Sequence, residues 1–152
     1  MKARAGWLVS AEQTVKRRLG PDGVRPPDLQ MVLVDSSIWI DHLRLADERL
    51  ISLLDRSAVL SHPFVTGELA LGSLRQRAIV IVALRKLPQA VVARDDEVLT
   101  LIEQRQLFGL GLGYVDAHLL ASVMLTPDAR LWSRDRRLHE IADRFGLAEQ
   151  VH

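Results

Sequence analysis

The stretch MVLVDSSIWI, Met31 to Ile40, decides how the rest of this chain is read. Its first four residues form a short apolar run rich in β-branched side chains. Such runs mark strands that are buried on both faces of a parallel sheet. The run ends directly in Asp35, followed by two serines. In open parallel α/β sheets, ligands bind beyond the carboxyl ends of the strands. A carboxylate placed there is a candidate for chemistry, provided that the remaining sequence alternates strands with helices.

It does. Leu43, Ala46, Leu50, Leu53 and Leu54 recur at helical spacing with charges between them. AVL (58–60) reads as a second strand, and Thr66 is placed to cap a short helix running through GELALG. Residues 75–87 read as helical and AVV (90–92) as a third strand. The segment 95–108 opens with Asp95, Asp96 and Glu97, as a helix N-terminus favours, and runs to the glycines of GLGLG. VDAHLLASVML (115–125) is apolar almost all round and reads as a buried helix stopped by Pro127. RLW (130–132) is a fourth strand, and Leu138, Ile141, Ala142 and Phe145 mark a last amphipathic helix ended by Gly146. The alternation predicts an α/β domain with a mostly parallel sheet.

The 152 residues suit one domain with a sizeable core. With no cysteine, disulfides and thiolate metal sites are excluded, and a cytoplasmic location fits. The apolar run AIVIVAL (78–84) is far shorter than the ~20 residues of a membrane span, so no membrane association is expected. Six of the twenty basic residues and three of the nineteen acidic ones fall within positions 1–30. The body that follows is therefore slightly acidic, which argues against a passive nucleic-acid binder. Residues 1–30 read as an N-terminal extension: SAEQTVKRRLG, with Ser10 and Gln13 as a capping box, suggests a short helix, and GPDGVRPPDLQ a linker. Residues 31–152 form the expected α/β domain, and Met31 is a plausible native start. The preceding segment is then a mis-assigned upstream start, an artificial addition, or an extension that docks elsewhere.

Four acids stand out at the carboxyl edge of the expected sheet: Asp35 directly follows the first strand, Glu68 lies in the short helix after the second, Asp116 sits at the entrance of the buried helix, and Asp135 lies three residues beyond RLW. Each has a structural alternative. Asp116 is equally read as a helix N-cap, Asp35 as a cap helped by Ser36 and Ser37, Asp135 as a first-turn acid, and Glu68 as a solvated surface residue. Their settings, FVTGELALG and GYVDAHLLAS, are poor ones for casual surface carboxylates. Gathered at one sheet edge, the acids would raise one another's pKa values unless a cation neutralised them. All-oxygen ligands suit Mg²⁺ or Mn²⁺ rather than zinc. Such a site reads as metal-assisted phosphodiester hydrolysis.

At these residues the sequence resembles the PIN-domain ribonucleases, and within them the bacterial VapC toxins. Four motifs carry the resemblance in order: VLVDSSIWIDHLR, ELALG around Glu68, YVDAHLLAS around Asp116, and RLWSRDRRL with Ser133 and Asp135. Together they cover about residues 31 to 148. The resemblance implies a three-layer α/β/α PIN-like domain in which Asp35, Glu68, Asp116 and Asp135 hold Mg²⁺ or Mn²⁺ directly or through water. Ser36 and Ser133 would orient the carboxylates or bound waters. It further implies an RNA substrate cleaved to a 5′-phosphate and a 3′-hydroxyl, a cognate VapB-type antitoxin, and a homodimer. Serine stands where threonine is commoner, after Asp35 and before Asp135, and the hydroxyl is kept.

Other features are weaker. His42, His62, His118, His139 and His152 show no metal-ligand spacing, and His118 reads as a packed histidine. Arg134, Arg136 and Arg137 suit either RNA phosphates or a solvated helix start. Trp39 and Trp132 read as core, and Asp41 as structural. A receiver-type phosphoacceptor would want a late lysine, and none follows Lys86. An aspartate-nucleophile phosphatase would want a second aspartate where Ser37 stands. The remaining rival is a non-catalytic PIN-like RNA-binding or structural module.

Overall fold

The computed structural model describes residues 30–150. The helix expected from Ser10 to Gly20 and nearly all of the linker behind it lie outside the described residues. The elements run β1 (Met31–Val34), α1 (Ser36–Arg44), α2 (Glu48–Asp55), β2 (Val59–Leu60), α3 (Pro63–Ala70), α4 (Arg77–Lys86), α5 (Asp95–Gln104), α6 (Tyr114–Leu125), β3 (Ala129–Trp132) and α7 (Arg136–Arg144).

The strands lie in the order β2-β1-β3, parallel throughout. The central strand β1 is buried along its whole length, which is why it reads as an unbroken apolar run instead of an alternating one. Isolated parallel bridges extend the sheet at both edges, Ser61 with Gln89 and Leu131 with Ala148. Seven helices among the described residues surround this sheet, in the α/β/α architecture expected. Trp39, Ile38, Leu50, Leu84, Leu119, Leu120 and Leu138 are fully buried around it. No helix among the described residues is long and apolar enough to cross a membrane.

Four local expectations are corrected. The apolar spacing from Leu43 to Leu54 spans two helices, because the chain breaks at Leu45 and Asp47 caps α2 through its side chain to the Leu50 N–H. Helix α3 starts three residues before Thr66: His62 is its N-cap and Pro63 occupies the first turn, where a missing N–H costs nothing. Residues 90–92 form no strand. The pairing falls on Gln89 alone, while the Val91 N–H donates to Oγ1 of Thr126, the C-cap of the buried helix, and the Ala93 N–H to Ser122 Oγ within it. Helix α5 ends at Gln104, short of Phe108, and Gln106 takes a positive φ of 53°.

Candidate active site

The register of β1 against β3 builds the site. Val34 pairs with Trp132, and the Asp35 N–H donates to the Trp132 carbonyl at 3.0 Å. Asp35 and Ser133 therefore leave the sheet side by side, 98 positions apart in sequence. The Ser133 hydroxyl donates to Asp35 Oδ2 at 2.7 Å and accepts the Asp135 N–H at 3.0 Å. Both aspartates also cap the helices they open. Asp35 Oδ1 accepts the Ser36 N–H at 2.8 Å, and Asp135 Oδ1 accepts the Leu138 N–H at 3.0 Å. The structural alternatives for these two residues thus hold, alongside their place in the cluster.

Glu68 reaches the same edge from α3. The Ser36 hydroxyl lies 3.2 Å from Glu68 Oε2 and 3.4 Å from Asp35 Oδ1. It has one proton for two carboxylates. Asp116 lies in the first turn of α6, but the N-cap is Gly113, so the capping alternative for Asp116 fails. Asp35 is buried, Asp116 half-buried, and Glu68 and Asp135 face solvent, so the cluster opens outward on their side.

Electrostatics joins all four acids. Burial, then the charges of Asp35 and Asp135, push the Asp116 carboxyl up to about 6 against a stabilising Gly113 backbone hydrogen bond, and Glu68 adds a smaller push. Burial and Asp35 also raise Glu68, opposed by the Ser36 hydroxyl. This is the mutual repulsion expected of carboxylates gathered in one place. Among the described residues, no group of three or more His, Asp or Glu side chains is arranged to hold a metal ion. Ser36 links the Asp35 and Glu68 carboxylates, and Ser133 links the Asp35 carboxylate to the Asp135 backbone. The donor set itself, anionic and all oxygen, fits a hard divalent cation.

Ser37 was not singled out as a site residue by sequence, yet its hydroxyl donates to Asp35 Oδ2 at 3.0 Å and accepts the Arg134 N–H at 3.2 Å. The second serine of Asp-Ser-Ser was the available signal. Arg134 is engaged with Asp41 and Asp47, so both it and Asp41 serve to tie α1 to the end of β3. Arg136 pairs with Glu140 at 2.9 Å. Trp39 and Trp132 are core, and Asp95, Asp96 and Glu97 fill the first turn of α5. His118 is buried, with Nε2 3.0 Å from Asp95 Oδ1.

Comparison with known proteins identifies the family of this chain. A family model described as PIN domain matches residues 32–144. Two curated relatives, from two strains of Mycobacterium tuberculosis, both carry the name ribonuclease VapC32. Each is 52% identical over 123 residues, covering 80% of this chain and 99% of the relative.

Proposed function

Because the chain belongs to the PIN-domain family, and within it to the VapC type, we propose that it is a metal-dependent endoribonuclease acting as the toxin of a toxin–antitoxin pair. One observation carries the reading furthest. Four acids from four separate segments stand close enough for three of them to raise the pKa of the fourth. Carboxylates so crowded are stabilised as anions by a shared cation.

Asp35, Glu68, Asp116 and Asp135 would hold Mg²⁺ or Mn²⁺, directly or through water. Bound there, the ion would supply a lowered water pKa and charge stabilisation at the phosphoryl group. Ser133 and Ser37 both donate to Asp35 Oδ2 and hold that carboxylate in one orientation, and Ser36 bridges Asp35 and Glu68. Rigid carboxylates of this kind stabilise a cation without reorganising during the reaction. Addition of water oxygen to phosphorus and cleavage of the P–O3′ bond leave a 5′-phosphate and a 3′-hydroxyl. The ribose 2′-hydroxyl has no part as nucleophile.

The active unit in this reading is residues 31–152, with residues 1–30 an appended extension. The protein works in the cytoplasm as a homodimer, restrained by a cognate VapB-type antitoxin. Asp35→Asn and Asp116→Asn should each abolish Mg²⁺-dependent RNA cleavage while circular dichroism and melting stay near wild type. The rival, a non-catalytic PIN-like module, wins if antitoxin-free wild-type protein cleaves no RNA pool with either metal.

A further inference from the structure

We propose that Arg137 is a positioning residue, which clasps the Gly109–Gly113 loop and thereby sets Asp116 against Asp135. The proposal rests on the ribonuclease reading above and adds to it a residue outside the four-acid set.

The two acids arrive on different elements. Asp135 is the N-cap of α7, and Arg137 stands two residues later on that helix. Asp116 lies in the first turn of α6, directly behind the loop that leads into that helix. That loop turns through two left-handed glycines, Gly109 at φ 73° and Gly111 at φ 78°, before Gly113 caps the helix. A Cβ at Gly113 would stand 3.4 Å from Asp116 Oδ2, so the carboxylate lies folded back over the loop's last residue. The loop thus meets the Asp116 side chain at Gly113.

Arg137 lies across this loop. Its Nη1 donates to the Gly111 carbonyl at 3.4 Å, a long bond, but the packing beneath it is close. A Cβ at Gly111 would overlap Nη1, approach Cζ to 2.9 Å and Cδ to 3.3 Å. The positive φ favours glycine at 111, and a Cβ there would push the end of the Arg137 side chain off the loop. Its two arginine neighbours are committed elsewhere, Arg134 to Asp41 and Asp47 and Arg136 to Glu140. Among the described residues, the Arg137 contact is the side-chain hydrogen bond that joins the Asp116 loop to the Asp135 helix.

An exposed arginine beside a nuclease site has a competing role, as a contact to an RNA phosphate. Three variants separate the two. Arg137→Met keeps an apolar stem but removes charge and donors. Arg137→Lys keeps the charge and loses the planar fork. Gly111→Ala displaces the guanidinium while keeping it intact. Mn²⁺ binding is measured by calorimetry without RNA, and kcat and KM are measured on an RNA that the wild type cleaves. Positioning predicts that Arg137→Met weakens Mn²⁺ binding and lowers kcat together, each by about 2–30-fold, the range for residues that act on a site without touching the ligand. KM stays within about twofold, Arg137→Lys does not rescue, and Gly111→Ala behaves alike.

A raised KM with unchanged kcat and Mn²⁺ affinity, rescued by lysine, overturns the proposal in favour of phosphate contact. Unchanged behaviour of Arg137→Met overturns it outright. Arg137 is exposed, so its substitution decides the question even if Gly111→Ala fails to fold. The wild-type arm tests the ribonuclease reading separately: no Mn²⁺ binding and no cleavage there overturns both.

Discussion

Acidifying this protein from pH 7 to pH 4 should remove about 3 kcal/mol of stability through one side chain, His62. His62 is fully buried and caps α3. Its Nδ1 accepts the Phe64 N–H at 3.0 Å, so the ring proton belongs on Nε2, which donates to Ser122 Oγ at 2.9 Å. A second proton would have to displace the cap. Burial, helped by the charge of His118, pulls the pKa down from 6.5 to about 4. Between those values the unfolded chain binds a proton that the native protein refuses. Stability therefore falls as pH drops from 6.5 to about 4 and stops falling below it. At 1.4 kcal/mol for each pH unit, that interval is worth about 3 kcal/mol. Glu68 and Asp116, whose pKa values are raised, pull in the opposite direction across the acid range, so the effect must be isolated by difference. His62→Asn retains a capping acceptor without titrating. Urea unfolding of both proteins at a series of pH values should show the wild type losing about 3 kcal/mol relative to the variant between pH 7 and pH 4. A wild-type-minus-variant difference that stays flat across this range would refute the reasoning. The consequence reaches function, because α3 carries Glu68.

Ser133→Ala removes both the donor to Asp35 and the acceptor of the Asp135 N–H. Cleavage assays should show kcat reduced by about 10–100-fold, with activity recovered in Ser133→Thr. Trp39→Ala, at a side chain with no exposed surface, should cost about 3–5 kcal/mol in denaturant unfolding. Removing divalent metal with a chelator should stop RNA cleavage without unfolding the protein. Added Mg²⁺ or Mn²⁺ should restore it, as followed by gel.

Much of the fold was legible because its signals are local. The unbroken apolar run of β1, the all-round apolar character of α6 and the amphipathic pattern of α7 each report burial directly. Where local signals were ambiguous the reading slipped. Leu43 to Leu54 keep helical spacing across a break, since Asp47 restarts the helix nearly in phase, and Leu45 is left 82% exposed. Val91 and Val92 favour a strand by type, but Thr126, the C-cap of α6, and Ser122 within it claim the N–H groups of Val91 and Ala93. His62 was passed over as a cap in favour of Thr66, although Pro63 behind it marks a first helical turn.

By itself the sequence singled out the four carboxylates of the candidate site, because a buried strand must end at a sheet edge, Asp35, Asp116 and Asp135 follow or open an element, and Glu68 sits in an apolar setting poor for a surface acid. How those carboxylates meet was decided only by tertiary structure. Asp35 finds Ser133 because β1 and β3 pair in one register, and a slip of one residue would turn either side chain to the opposite face. The same holds for Ser36 between Asp35 and Glu68, for Ser37 beneath Arg134, and for Arg137 on Gly111. Each contact joins segments distant in the chain, whose approach depends on packing and strand pairing that no local pattern encodes.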